Sequence, residues 1–194
     1  FALYVRGAVA LAAGDTAEAV ARWQAVLDLP EAQRRFRSTW AAFMIGKVTM
    51  ADDREKAIEW FERTRTLAKG GCRDTLRLAQ ASLGWQARAE LDMGSRPAAV
   101  RHYFQMFRDA GEPERTVGYT SLCQVCRTAF AYDAAPPDDL AADPLCRRII
   151  AAWILSQSEA NARHGYRPWI DAIEKAVAAS GERAGPGADR LAWA

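Results

Sequence analysis

The sequence predicts an all-α protein built from helix-turn-helix pairs that stack along the chain. Alanine is the commonest of the 194 residues and β-branched residues are sparse, a mixture that favours helices because Ala, Arg, Glu and Leu lose little on entering one. One pattern of small residue, turn, alanine and aromatic occurs three times at a spacing of roughly 40 residues. Half of the residues are hydrophobic, which is enough for a substantial core.

Each copy of the pattern places a small residue in a first helix, a turn after it, and an alanine and an aromatic four residues apart in a second helix. The three copies are Gly7, Gly14-Asp15, Ala19 and Trp23; Gly46, Asp52-Asp53, Ala57 and Phe61; and Ala87, Gly94-Ser95, Ala99 and Tyr103. Two helices approach closely only where side chains are small, and the aromatic fills the space where they diverge. Glycine in the turn ends the first helix, and Asp or Ser caps the second.

This order of residues resembles the tetratricopeptide repeat, and segments such as Gly14-Asp15-x-x-Glu18-Ala19-Val20 are fairly specific for that family. The resemblance implies a right-handed α-α superhelix, a solenoid of antiparallel helix pairs, with three repeats over residues 1–111. The spacing exceeds the family's period of about 34 residues, the second turn lacks its glycine, and the closing proline survives only as Pro30. We interpret the extra residues as longer helices, with Glu31–Met50 as one uninterrupted helix.

Residues 112–194 are predicted to be degenerate helical pairs that continue the same solenoid as one domain. A helix over Glu112–Ala131 is followed by a break at Tyr132–Pro137, where prolines cannot continue it. Asp143-Pro144 begins the next helix, with Asp as the cap. Its predicted buried stripe consists of Leu145, Ile149 and Trp153, with Ile150 and Ile154. Pro168 is expected to open another helix, which Gly181 ends.

The resemblance also implies a binding surface, because the first helices of such repeats line the concave face. The residues that would line it are Tyr4, Ala8, Leu11, Trp40, Phe43, Lys47, Met50, Arg88 and Leu91. Such a groove is apolar and aromatic with two cations, and suits an extended peptide or an amphipathic helix that carries some negative charge. The alternative is that these aromatics are buried between the helices. Four other tryptophans are assigned to the core: Trp23, Trp60, Trp153 and Trp169.

Cysteine and histidine offer a second kind of site. Cys123-x-x-Cys126 lies inside a predicted helix, whereas redox enzymes place this motif after a strand. Cys123, Cys126, Cys146 and His164 could supply four zinc ligands, although their spacing matches no compact zinc module. A disulfide to Cys146 is a further alternative for an exported protein. The preferred interpretation is that Cys123 and Cys126 are small buried hydrophobes, and that His102 and His164 satisfy local hydrogen bonds. The acidic pairs Asp52-Asp53 and Asp138-Asp139 are interpreted as helix caps.

Charge and hydropathy limit the class of partner. The net charge is +2, whereas nucleic-acid binders carry a larger and more clustered excess. No apolar run approaches the roughly 18 residues of a membrane span, and no signal-peptide pattern is present. The chain opens in mid-helix pattern, so we expect a fragment of a longer protein; its compartment is open, with the cytoplasm favoured, and its oligomeric state is open.

The first functional hypothesis is a non-enzymatic scaffold that binds a protein or peptide and needs no cofactor or metal. The second is the non-catalytic helical domain of a larger enzyme or regulatory protein. The third is a metal or redox module built on the cysteines. Fold alone does not decide between them.

Overall fold

The computed structural model describes residues 1–129, 137–157 and 159–180, and the side chains of all of these except residues 159–166. Every regular element in these ranges is a helix, which confirms the all-α prediction. The helices are α1 (Ala2–Ala12), α2 (Thr16–Leu27), α3 (Glu31–Arg34), α4 (Ser38–Thr49), α5 (Arg54–Lys69), α6 (Leu78–Asp92), α7 (Arg96–Asp109), α8 (Glu114–Ala129), α9 (Asp138–Ala142), α10 (Pro144–Leu155) and α11 (Glu159–Ser180). Contacts divide the chain into two compact units, Phe1–Tyr119 and Thr120–Ala194.

In the first unit, each helix packs against the next one in the repeat pattern. Helix α1 contacts α2, α4 contacts α5, and α6 contacts α7. Between these pairs, α2 contacts α4 and α5 contacts α6, and α4 also contacts α6. The core lies along these contacts. One cluster contains Trp23 and Ile45 with Ala19, Ala41 and Ala42. A second contains Phe43, Ala57 and Phe61.

The recurring glycines lie where two helices meet most closely. A Cβ atom added to Gly7 would lie 2.5 Å from Nε1 of Trp23, and one added to Gly46 would lie 2.8 Å from Cε1 of Phe61. The nearest atoms to each glycine therefore belong to the aromatic ring of the second helix rather than to the alanine. Ala19, Ala57, Ala87 and Ala99 are nevertheless fully buried. Gly118 of α8 also lies in close contact with α7, because its added Cβ would lie 2.7 Å from the backbone nitrogen of Phe107.

Two of the three repeat turns end their first helix with a left-handed glycine. Gly14 has φ +83° and Gly94 has φ +80°. In the first turn, the Gly14 N–H donates to the Leu11 carbonyl at 3.0 Å and the Asp15 N–H donates to the Ala10 carbonyl at 2.9 Å. This pair of bonds is the Schellman motif, which Gly94 repeats. The second turn lacks the glycine, and there the Asp53 N–H donates to the Thr49 carbonyl instead, at 2.9 Å.

Helix caps follow the prediction at three aspartates and depart from it at Ser95 and at Asp138-Asp139. The N-cap of α9 is Pro137, no side chain forms a cap bond there, and the two aspartates lie in the first turn. Asp15 accepts from the Glu18 N–H and Asp53 from the Lys56 N–H, both at 2.9 Å. Asp143 accepts from the N–H groups of Leu145 and Cys146. Ser95 makes no side-chain cap bond; the following Pro97 lies in the first turn of α7 and has no N–H to donate.

The prediction of one helix over Glu31–Met50 is wrong, because the chain breaks between α3 and α4 at residues 35–37. The break leaves the Arg35 carbonyl outside a helix, and it accepts a hydrogen bond from the Arg73 N–H at 2.7 Å. The Thr39 hydroxyl donates to the Arg73 carbonyl at 2.8 Å. The segment after α5 is thereby fixed against the start of α4, a tertiary contact that periodicity does not reveal.

The second unit contains α9, α10 and α11, each in contact with the other two. In α10 the most buried residues are Cys146, Ile150 and Ile154, whereas Leu145, Ile149 and Trp153 of the predicted stripe are only half-buried. Pro168 does not open a helix; it lies inside α11. Trp169 beside it is almost fully buried. The predicted break at residues 132–136 and the chain after Ser180 lie outside the described residues.

Candidate binding surface

The three first helices of the repeats, α1, α4 and α6, are connected through aromatic side chains. The ring of Tyr4 on α1 meets the ring of Trp40 on α4 edge-on, with centroids 5.6 Å apart. Phe43 of α4 lies 6.0 Å from Phe61 of α5, and Phe61 lies 6.4 Å from Trp85 of α6. Because α4 also contacts α6 directly, the first helices present adjoining surfaces. We call Tyr4, Arg37, Trp40, Lys47 and Trp85 the first-helix surface.

The predicted groove residues differ in their accessibility. Tyr4, Leu11, Trp40, Lys47, Met50 and Leu91 are half-buried, and Arg88 and Ala8 are exposed. Phe43 is only 7% exposed, because it packs on Phe61 beneath the surface. Leu11 and Met50 pack against the core clusters with part of their side chains. The residues that can offer a ring or a charge to a partner are therefore Tyr4, Trp40 and Lys47.

At one end of the surface, the guanidinium of Arg37 lies among three aromatic rings. Its Cζ atom is 3.8 Å from the ring centroid of Trp40, 4.9 Å from that of Phe1 and 5.8 Å from that of Tyr4. Such contacts are attractive because the face of an aromatic ring is negative. Burial raises the pKa of the Tyr4 phenol, although Arg37 opposes the shift. Tyr4 is therefore a neutral hydrogen-bonding group at neutral pH.

At the other end, the ammonium of Lys47 lies 4.6 Å from the ring centroid of Trp85. Trp85 is 36% exposed, so part of its side chain is accessible to a partner. Trp85 was not among the predicted groove residues. The signal was available, since Arg88 lies three residues later and positions three apart share a helix face.

Arg88 forms an ion pair with one carboxylate of its own helix, that of Asp92. Its Nε atom lies 3.0 Å from Asp92, and Arg54 lies 3.7 Å from the other oxygen of the same carboxylate. Arg88 therefore shares one carboxylate with Arg54, and Leu91 beside it is half-buried. In the third repeat, Trp85 belongs to the first-helix surface, whereas the predicted Arg88 does not.

A buried polar network crosses α5, α6 and α7, and the sequence analysis did not predict it. Arg65 donates to the Ser82 hydroxyl at 3.0 Å and also to the Gln86 side-chain oxygen. Gln86 donates to Glu90 at 3.0 Å, and Nδ1 of His102 lies 2.8 Å from the same carboxylate. Burial lowers the pKa of Arg65, and the nearby Glu62 and Glu90 oppose that shift. His102 thus has a local hydrogen-bond partner, as predicted.

The prediction that Cys123 and Cys126 are buried holds for Cys126 and only in part for Cys123. Cys126 and Cys146 are buried and Cys123 is half-buried. Neither Cys123 nor Cys126 forms a disulfide. Burial and the neighbouring Cys123 raise the pKa of the Cys126 thiol to about 12, whereas a nucleophilic or metal-binding cysteine needs an accessible thiolate.

Two of the tryptophans assigned to the core are less buried than expected. Trp23 and Trp169 are buried, but Trp60 and Trp153 are only half-buried. Trp60 packs partly on the core cluster that contains Trp23, and the guanidinium of Arg63 lies 4.9 Å from its ring centroid. This second-helix pair has the same chemistry as Lys47 and Trp85 but belongs to α5.

Within the described ranges, no group of three His, Cys, Asp or Glu side chains is arranged to hold a metal ion; the side chain of His164 lies outside them. No helix in the described part of the chain combines the length and apolar character needed to cross a membrane. No protein-family model matches the chain, and no curated protein or solved structure is significantly similar to it.

Proposed function

We propose that this chain is a protein-interaction scaffold, a right-handed solenoid of antiparallel tetratricopeptide-like helix pairs, which binds a peptide or a segment of a partner protein on the first-helix surface. The observation that carries the proposal is the row of partly exposed rings with cations held over them, from Tyr4, Arg37 and Trp40 to Lys47 and Trp85. Aromatic and arginine side chains dominate the binding energy of protein interfaces.

The contact pattern of the first unit supports the solenoid. In a stack of helix pairs, each second helix packs on the first helix of the following pair and successive first helices adjoin. Contacts of α2 with α4, of α5 with α6 and of α4 with α6 have this pattern. Gly7 and Gly46 hold equivalent places under Trp23 and Phe61, which supports two copies of one packing unit.

The surface suits binding because its side chains are already positioned. Trp40 is fixed between Tyr4 and Arg37, and Trp85 stacks on the buried Phe61. Side chains that are held in place before binding lose little conformational entropy when a partner arrives. In this proposal the chain binds and does not catalyse, since His102 is engaged with Glu90 and the Cys126 thiol is protonated.

Selection from a phage-displayed library of random peptides tests the proposal. The bait is the whole chain, and enriched peptides are then titrated against three variants that retain the circular dichroism of wild type. We expect Trp85→Ala and Lys47→Glu to weaken binding at least tenfold. Arg63→Glu should leave it within twofold, because Arg63 also lies over a tryptophan ring but on a second helix.

The proposal is overturned if no peptide is enriched, or if the enriched peptides bind all three variants as tightly as wild type. Binding that is lost only in Arg63→Glu would place the site on the second helices and would also overturn it.

A further inference from the structure

The cations of the first-helix surface have no carboxylate partners. Among the described residues, Arg37 and Lys47 form no ion pair, and their charged groups lie over aromatic rings. By contrast, Arg22, Arg77 and Arg108 of the same unit each pair with a carboxylate. The unbalanced positive charge of this surface is therefore available to an acidic partner.

Further positive charge lies at the Arg37 end of the surface. Phe36 is 51% exposed, and the guanidiniums of Arg35 and Arg73 lie 5.6 Å and 5.9 Å from its ring centroid. Hydrogen bonds between residues 35, 39 and 73 hold the two segments together. The neighbouring Asp74 carboxylate accepts hydrogen bonds from the N–H groups of Leu78 and Ala79.

The rise along α4 from Trp40 to Lys47 gives the approximate spacing of the two contacts between a ring and a cation. Trp40, under Arg37, and Lys47 are seven residues apart on α4, which corresponds to about 10 Å along a helix. An extended peptide advances about 3.3 Å per residue and points alternate side chains to the same side. Two acidic residues four positions apart therefore span roughly 13 Å on one side of the peptide, with one side chain between them facing the rings.

From this arrangement we infer that the partner is an extended acidic segment with the pattern acidic-x-apolar-x-acidic. One carboxylate meets Arg37, the other meets Lys47, and the apolar side chain packs on the rings of Trp40 and Trp85. The inference rests on the proposed scaffold function and specifies its ligand. A peptide suits the site better than a nucleic acid, because the chain as a whole has a net charge of only +2 and nucleic-acid surfaces carry a larger excess.

Fluorescence anisotropy with short labelled peptides tests this inference on the whole chain. The probe contains Glu-Ser-Leu-Ser-Glu between Gly-Ser flanks, and the matched probes replace both Glu by Gln or place the two Glu side by side. We expect the Glu probe to bind about tenfold more tightly than the Gln probe, and the preference to fall as salt is raised, because exposed charges are screened. Lys47→Glu should abolish the preference, whereas Arg63→Glu should keep it.

Equal binding of the Glu and Gln probes, no measurable binding of any probe, or equal loss in Lys47→Glu and Arg63→Glu would overturn the inference. So would tighter binding of a labelled single-stranded oligonucleotide at the same salt concentration. If the phage selection enriches peptides without acidic residues that still depend on Trp85, the acidic ligand is wrong while the scaffold function stands.

Discussion

Gly7 is the residue whose size matters most for the first helix pair. A methyl group there would lie 2.5 Å from Nε1 of Trp23, and Trp23 is fully buried, with its indole N–H donating to the Tyr4 carbonyl. We predict that Gly7→Ala lowers the free energy of unfolding by about 1–3 kcal/mol, because overpacking outweighs the better helix propensity of alanine. Urea unfolding followed by circular dichroism measures the change.

Gly84→Ala is the matched control for that substitution. Gly84 also lies inside a helix, but its added Cβ would meet only the flexible Met106 side chain, with Sδ at 3.1 Å. We expect its free energy of unfolding to stay within about 1 kcal/mol of wild type, because methionine adapts to small changes in volume. An equal loss in both variants would show that close approach at Gly7 is not the cause.

The raised pKa of Cys126 predicts that its thiol is unreactive in the folded chain at neutral and mildly alkaline pH. Its pKa is raised to about 12 by burial, so in the folded chain the thiol keeps its proton at neutral and mildly alkaline pH and becomes a thiolate only as the pH approaches that value. We predict that iodoacetamide at pH 8 leaves Cys126 unmodified in the folded protein and modifies it in denaturant. Mass spectrometry of the digested protein reads the result. Rapid modification in the folded state would revive the redox and metal alternatives.

Among the elements, α6 has a buried face that its sequence pattern does not predict. Ser82, Gln86 and Glu90 lie one turn apart and are buried, so the inner face of α6 is polar and a search for apolar stripes overlooks it. The face is stable because Arg65 of α5 and His102 of α7 supply its partners. Those partners come from other helices, and periodicity within one helix does not indicate them.

We predict that Glu90→Ala lowers the free energy of unfolding by about 1–3 kcal/mol, because Gln86, Arg65 and His102 lose a buried acceptor or counter-charge. Asp92→Ala on the same helix is the control. Its ion pairs with Arg54 and Arg88 are more exposed, so the expected change is below about 1 kcal/mol. The free energy of unfolding of both variants is measured in urea. A larger decrease for Asp92→Ala than for Glu90→Ala would contradict the stabilising role of the network.

The caps of α5 and α7 provide a second comparison between elements. Asp53→Ala should destabilise by about 1 kcal/mol, because the Asp53 carboxylate accepts from the Lys56 N–H. Ser95→Ala should change stability by only a few tenths, since Ser95 makes no such bond. Thermal unfolding distinguishes the two. Both residue types are common caps, and Pro97 in the first turn of α7 is the sequence feature that distinguishes the Ser95 position from Asp53.

At the scale of the whole molecule, local chemistry predicted the all-α class and the small, alanine and aromatic positions of the three copies, all of which are buried. Glycine turns, caps and the Gly7–Trp23 and Gly46–Phe61 contacts are encoded within about 20 residues of sequence, where short-range rules apply. The break after α3 and the helix through Pro168 were not predictable, because both depend on contacts or burial contributed by distant residues. Of the proposed surface, Trp40, Tyr4 and Lys47 were identified from sequence, while Arg37 and Trp85 required the structure.

The central claim is that partners bind across the first helices. Its most direct test is an ¹H–¹⁵N spectrum of the tryptophan indoles during titration with a peptide from the phage selection. We expect the Trp40 and Trp85 signals, assigned by single substitution, to shift in proportion to the bound fraction while those of Trp60 and the buried Trp169 stay in place. Shifts confined to Trp60 or Trp169, with Trp40 and Trp85 unchanged, would contradict the account.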